Sequence, residues 1–416
     1  MFAFFLAVMG IAIFGGSFVK FQIFHISVTY IVMLALMISY VRFFAIKKDV
    51  LRINKNEKYL VEFELYGLIF VFFSFIGINK FFISNELFTA ARYIPRQAYY
   101  LFFVPAIIMF QDKFYTEKLD GFIKKYGSFA FWFIYILHII VIRKFAIGIP
   151  TEMVLCWLDL SISGTRITKA RVLRLILLIF TPIAVGGELT NIFIRLVYLA
   201  YFLFNKNRKI LFRYMGLVMN VMIGAIFLMP IFLGMFSSTL DANSLWKLRY
   251  WNDELTQLLK SHLLGVGYGT SYATKDFIGG SLYVIGGPFG ASSEYSVLDQ
   301  LFVTGPHSSF ISLAFRLGLI GLLLFILFLK ATYKELLHNH NRLSPSVCFI
   351  FVSSIIIISF NVGLESPYYL MLFVFAMGRC IQETSNYSVG VSILPKIKRL
   401  REASNKKAFC KGEIII

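Results

Sequence analysis

Apolar segments of a length that a lipid bilayer demands recur along this 416-residue chain. A membrane helix needs about 20 predominantly apolar residues, because the hydrocarbon layer is roughly 30 Å thick and a helix rises about 1.5 Å per residue. The stretch around Ile350–Phe360 meets that requirement, and Leu317–Leu329 and Ile176–Val185 form the apolar centres of two more. Hydrophobic residues make up 58% of the chain, above the roughly 45–50% of a soluble domain. The fold class expected from this pattern is an all-α polytopic membrane protein with about twelve transmembrane helices, at 2–19, 22–46, 60–78, 90–110, 127–142, 145–163, 171–186, 190–205, 211–236, 308–330, 345–360 and 364–382. The segment 90–110 carries Arg92, Pro95, Arg96 and Pro105 and reads as a broken or partly re-entrant helix.

The formal charge is +19. In a soluble protein that balance would suggest nucleic acid. Here the basic residues crowd short loops between apolar spans, and no basic stripe interleaves with exposed aromatics, so no nucleic-acid partner is expected. One cluster runs from Arg42 to Lys58 and a second from Lys113 to Lys125; the others are Arg166–Arg174, Lys206–Arg213, Lys330–Arg342 and Lys396–Lys411. All six fall on one side if the spans alternate, and the positive-inside bias makes that side the cytoplasm and places both termini there. The N-terminus lacks a basic stretch before its apolar run and reads as a retained helix rather than a cleaved signal. Cys156, Cys348, Cys380 and Cys410 show neither a CxxC pair nor a Cys/His ligand spacing, so no disulfide framework or zinc site is implied.

One connection stands apart. Residues 237–306 contain no convincing span, and the alternation puts them outside; they carry six acids against four bases in an otherwise basic chain. Long ordered loops of this kind usually carry function. The expected organisation is therefore nine helices over 1–236, an external loop over 237–306, three helices over 307–386 and a solvated basic tail over 387–416. The loop opens Leu245-Trp246-Lys247-Leu248-Arg249-Tyr250-Trp251 and continues as an amphipathic helix to about Leu264, with Leu255, Leu258, Leu259 and Leu263 at helical spacing. Gly265-Val266-Gly267-Tyr268-Gly269 follows and reads as a turn, not a nucleotide fingerprint, because no strand precedes it. The loop closes Gly305-Pro306-His307-Ser308-Ser309-Phe310 and runs into Arg316-Leu317-Gly318-Leu319-Ile320-Gly321.

In that order, an Arg with a Trp, an amphipathic stretch, a Gly-x-Gly-x-Gly turn, a His at a helix mouth and a Leu-Gly-Leu-x-Gly resemble the outer loop of the O-antigen polymerase and ligase family. That family also has about twelve spans, cytoplasmic ends and a large periplasmic loop between the ninth and tenth. The resemblance implies a bacterial inner-membrane glycosyltransferase that takes a glycan from undecaprenyl pyrophosphate, with no metal or other cofactor and with an active site on the periplasmic face. It also implies membrane lipid as surroundings, and a flippase and a chain-length regulator as partners. By resemblance His307 is the general base and Arg249 a diphosphate- or acceptor-positioning group, as suits an imidazole that titrates near neutral pH and a guanidinium facing an anionic leaving group. Arg195, Glu365 and Arg316 complete the substrate-binding set. The family's Arg motif is loosened here, with Ile194 and Leu196 around Arg195, and Ser308 stands where an Asn often follows the His.

Blander readings stand beside these. An outer-loop Arg is often a solvated charge, a His before a helix a local cap, and an Arg within an apolar run a snorkelling group. His25 and His138 read as packed, and Glu152 and Asp159, seven apart on one helical face, as salt-bridge or head-group partners. The loop aromatics Trp246, Tyr250, Trp251, Tyr268, Tyr272 and Tyr283 fit sugar stacking or interfacial anchoring equally. Function divides three ways: a polysaccharide polymerase with a lipid-linked repeat unit as acceptor, a ligase with a lipid-A core or protein acceptor, or a lipid-linked sugar flippase. No two-half repeat of the transporter kind is visible, and the looser Arg motif favours the polymerase.

Overall fold

The computed structural model describes residues 10, 22–23, 26–27, 55–103, 107, 113–142, 148–163, 167–183, 188–204, 208–232, 242–277, 301–302, 305–339, 344–361 and 363–385. The expected span at 2–19 (except residue 10), most of that at 22–46, the tail 387–416, His25, Arg166, Cys410 and the loop segment 283–295 lie outside them. Within them the chain is helical apart from one antiparallel pair of two-residue strands, Gln22–Ile23 with Ile26–Ser27. That pair corrects the expected helical start of the span at 22–46; the β-branched Ile23 and Ile26 suit a pleat better than a helix.

Eleven helices organise the described residues: α1 Lys55–Phe75, α2 Ile94–Phe103, α3 Lys113–Ile136, α4 Ile149–Ser163, α5 Lys169–Phe180, α6 Glu188–Leu203, α7 Arg208–Leu228, α8 Ala242–Lys260, α9 Ser309–His338, α10 Pro345–Phe360 and α11 Pro367–Ser385. A π-helical turn, Leu137–Ile142, continues α3. Two helices are long and apolar enough to cross a membrane, α7 over Lys209–Leu228 and α9 over Ser309–His338, while Leu189–Leu203 and Pro345–Phe360 are apolar but shorter. The interrupted segment at 90–110 resolves into a 3-10 turn, Ala91–Tyr93, and the ten-residue α2. Pro95 sits in the first turn of α2, where its missing N–H breaks no helical hydrogen bond.

The core is built around α10, every residue of which from Pro345 to Ser359 is buried. A helix apolar all round has no polar face to offer water and must be enclosed, and α4, α6, α7, α9 and α11 surround it. The outward surface is apolar too. Leu65, Leu68, Ile69, Phe72 and Ile76 are all exposed and repeat at helical spacing along α1, and Leu217, Val218, Val221 and Leu228 are exposed on α7. Contacts gather at two ends of the bundle. At one, Asn361 donates from Nδ2 to Thr190 (2.9 Å) and Ser309 meets Glu365; at the other, Tyr333 donates to the Phe212 carbonyl (3.2 Å) and Arg379 pairs with Asp120 (2.8 Å).

Two acids expected to bridge or meet head groups are both in buried ion pairs. Glu152 holds Arg195. Asp159, fully buried, takes Arg174 at 2.5 Å and Arg171 at 3.4 Å and accepts from the Tyr198 hydroxyl at 2.8 Å. Arg171 and Arg174, at the basic end of the expected span 171–186, lie in α5 after the Thr168 cap, where Asp159 neutralises them. His138 packs, as read, against Thr151. Removing one member of a buried ionic group strands the others and costs about 3–5 kcal/mol. Asp159→Asn is therefore expected to lower the midpoint of thermal unfolding sharply in detergent, and Ser163→Ala, which removes one neutral hydroxyl that accepts from Arg174 at 2.8 Å, to lower it much less.

Candidate functional site

The helix that follows the external loop is not continuous. Gly318 sits in α9 at φ 69 and ψ −171, a combination open essentially to glycine. The break frees the carbonyls of Phe315 and Arg316 and the amide of Leu319. Chain from the external loop fills all three: Val266 N donates to Phe315 O (2.9 Å), Gly267 N to Arg316 O (3.0 Å), and Leu319 N donates to Leu263 O (2.9 Å). The approach is close enough that a Cβ on Gly318 would stand 2.5 Å from the Leu263 carbonyl oxygen, and one on Gly265 2.4 Å from the Gly318 nitrogen. The Gly265–Gly269 stretch is thus a buried strap against a broken helix, where a simple turn was expected.

Side chains from the segment before α2 and from α2 itself fix the strap's other edge. Asn79 donates to the carbonyls of Val266 (3.1 Å) and Tyr268 (3.3 Å), and Ser74 accepts from the Tyr268 amide at 2.8 Å. Gln97 accepts from Gly269 N (2.7 Å) and donates to Thr270 O (2.9 Å) and Phe302 O (3.0 Å). Arg316, buried below the strap, donates from Nη1 to Gly267 O (3.0 Å) and Thr270 O (2.8 Å), and its guanidinium lies 4.0 Å from the centre of the Tyr272 ring. Its Nε and Nη2 have no hydrogen-bond partner among the described residues.

Helix α8 ends at Lys260 and meets the expectation in part: Leu255 and Leu258 pack into the core, while Leu259 and Leu263 are exposed, and a second buried stripe is Trp246, Tyr250, Glu254 and Gln257. Glu254 is absent from the expected site residues. Its side chain is fully buried, and neither carboxylate oxygen has a partner among the described residues. Burial pushes its pKa well up, with Arg316 pulling down and Asp253 and Glu365 pushing up. The signal that would have found it is an acid at i+8 and i+4 from two aromatics on one helical face. Glu365 lies in the turn between α10 and α11, where it accepts from the Ser309 hydroxyl at 2.7 Å, while the same hydroxyl accepts from Leu364 N at 2.9 Å. Burial raises the Glu365 pKa against the hydrogen bonds of Ser312 and Ser309 and the charge of Arg316. Arg316, Glu365 and Glu254 thus form one electrostatic group drawn from α9, the α10–α11 turn and α8.

His307, two residues before the Ser309 whose hydroxyl meets Glu365, has φ 57, a left-handed conformation uncommon outside glycine. Its ring meets Trp246 edge-on at 5.3 Å, and Trp251 Nε1 donates to the Pro306 carbonyl, so α8 holds the His in place from both sides. Burial, then the charge of Lys247, depresses the His307 pKa to about 4. The next hydroxyl, Ser308 Oγ, is buried without a partner among the described residues. Arg249 is half-buried on α8, about one turn from both Trp246 and Asp253, and makes no hydrogen bond or ion pair among the described residues. Arg195 is not brought to the group. It lies deeper on α6, engaged by Glu152 and donating to Ile179 O at 2.8 Å, with Nη2 unpartnered among the described residues.

No family model, curated protein or solved structure matches the chain. Gly318→Ala is expected to be severely destabilising, since it adds both backbone strain of about 1–3 kcal/mol and a clash with the strap. Intrinsic fluorescence melts in detergent would show it as a lower midpoint, whereas Gly224→Ala, a position in α7 with open space around its Cβ, should unfold like the parent.

Proposed function

We propose that this protein is a multi-pass membrane glycosyltransferase, a polysaccharide polymerase that moves a glycan from undecaprenyl pyrophosphate onto a lipid-linked repeat unit, for O-antigen, capsule or exopolysaccharide. The observation that carries the reading is His307 held against Trp246 at the start of α9, two residues before the Ser309 that bonds Glu365, with Glu365 in one electrostatic group with Arg316 and Glu254. The exposed apolar faces of α1 and α7 support a lipid surround. About twelve spans, cytoplasmic termini and a bacterial inner membrane with the site on the periplasmic face are parts of the same proposal.

In the proposed step an acceptor hydroxyl attacks the anomeric carbon of the donor glycan. The new glycosidic C–O bond forms as the bond to the diphosphate oxygen breaks. The hydroxyl proton passes to His307, and the electron pair leaves with the diphosphate. Arg249 stabilises the charge that develops there, with Arg195 deeper on the lipid side. Arg316 and Glu365 position the acceptor. A His with pKa near 4 is neutral at working pH and keeps a lone pair to receive the proton. No step requires a metal. A flippase and a chain-length regulator are the proposed partners.

His307→Ala and Arg249→Ala are each expected to abolish glycan extension while the protein remains in the membrane. Losing a general base costs roughly 10²–10⁴ in rate and losing a charge donor roughly 10²–10³. Arg249→Lys should recover part of the activity, because Lys lacks the planar fork, and His262→Asn, an exposed position with φ 54 that Asn tolerates, should stay active. Normal polymer from both alanine variants would refute the site.

The pH dependence carries its own expectation. The base works only when deprotonated, so activity is present above its pKa and is lost as pH falls through it. The acid limb of kcat/KM should therefore lie near 4, well below the roughly 6.5 of an ordinary His; a limb at about 6.5 would show that the imidazole is not desolvated in the working enzyme.

Polymerase and ligase share the donor, and deletion separates them. Loss of a polymerase leaves single repeat units on their normal acceptor in a gel of the surface glycan. Bare acceptor, with full chains stranded on the lipid carrier, would make the protein the ligase instead.

A further inference from the structure

We propose that the cleft between the start of α1 and the end of α9 binds the head group of an anionic phospholipid. It encloses about 450 Å³ and is lined by Tyr59, Leu327, Lys330, Lys334, Glu335 and His338. It lies at the opposite end of the bundle from His307. The inference rests on the membrane placement of α9 and is independent of the transferase chemistry.

The first observation is depth. Beyond the break at Gly318 the second part of α9 runs apolar from Leu319 to Leu329, and Lys330, Lys334, Glu335 and His338 follow that apolar run. Lys330 to His338 then emerge at head-group level, where aromatic rings such as that of Tyr59 also prefer to sit.

The second observation is charge. Lys330, Lys334 and His338 recur every four residues, so they stack along one face of the helix. The ammonium groups of Lys330 and Lys334 repel each other at that spacing, and neither makes an ion pair among the described residues, although Glu335 shares the cleft. The nearby cation Lys58 is already paired with Glu62 at 3.5 Å. All three side chains are exposed. A phosphate bridging them would relieve the repulsion.

The third observation is the floor. Leu327 and the ring of Tyr59 continue the cleft toward the apolar stretch of α9, which gives an acyl chain a surface that a free anion would not use. Cationic rim and apolar floor together select a phospholipid, and basic pockets at the cytoplasmic ends of membrane helices suit anionic head groups.

The test uses the full chain purified in neutral detergent. Phosphatidylglycerol and phosphatidylcholine binding are measured by native mass spectrometry, with inorganic phosphate as competitor, for the parent and the triple variant K330Q/K334Q/H338Q. Phosphatidylglycerol is expected to bind at least about tenfold more tightly than phosphatidylcholine, and the variant to lose at least about fivefold of that affinity with an unchanged unfolding midpoint. Equal affinity for the two lipids, or an unchanged variant, would overturn the proposal. Displacement of the lipid by millimolar phosphate would overturn it too, and would mark a soluble-anion site. If the protein were released from membranes without detergent, the membrane placement itself would fail; that is read separately from lipid selectivity.

Discussion

The break in α9 at Gly318, and the strap that repairs it, determine the rest of this end of the protein. A helix interrupted in its interior exposes backbone groups that no other part of the helix can satisfy, and in an apolar surround each such group is costly. Three of those groups are matched by Leu263, Val266 and Gly267 at distances between 2.9 and 3.0 Å. The match works only with glycine at 265 and 318, where the two backbones nearly touch. Because the strap is pinned there, the chain on either side of it is pinned as well: α8 before it, Tyr272 and Thr274 after it. The segment from α8 through the strap is in this sense part of the bundle.

The same junction explains why Arg316 points where it does. Its Nη1 bonds to the Gly267 and Thr270 carbonyls, so the strap buries the guanidinium without giving it a carboxylate. A buried cation with two unpartnered donors is an expensive arrangement to maintain for stability alone. Glu254 across from it is expensive in the same way. Buried groups left unmatched in a native fold call for an explanation, and a ligand that carries hydrogen-bond acceptors and hydroxyls would supply one.

Much of the helical plan is legible in the sequence, because an apolar run survives any detail of packing: 345–360 matches α10 at both bounds, and 190–205 matches α6 within two residues at each end. What cannot be read depends on contacts distant along the chain. The bonds from Ser74, Asn79 and Gln97 to the strap join residues more than 170 positions apart, and single polar side chains leave no periodic trace. An apolar count finds Leu255 and Leu258 on α8 but passes over the stripe of Trp246, Tyr250, Glu254 and Gln257, which mixes aromatics with polar groups. The span at 171–186 takes in Arg171 and Arg174, and only the fold reveals that Asp159 pairs with both. Of the site, the positions of His307, Arg316 and Glu365 come from the loop's boundaries, which glycine, proline and charge mark openly.

The protonation states of the site bear on what it could hold. Burial moves each titratable group toward its neutral form: His307 downward to about 4, Glu254 and Glu365 upward. Arg316 cannot follow, because a guanidinium does not lose its proton in a protein. The closer the two acids come to neutrality, the less of its charge is offset, and Lys247 and Arg249 add to it from α8. A site of this kind repels a cationic ligand and attracts an anionic one. The imidazole of His307 can accept a proton, and the upward shift of Glu254 and Glu365 favours the carboxyl form that donates a hydrogen bond. Anion attraction, a proton acceptor and a hydrogen-bond donor at one place are what transfer from a diphosphate-linked sugar to a hydroxyl requires, and that convergence is the physical ground on which the transferase proposal stands.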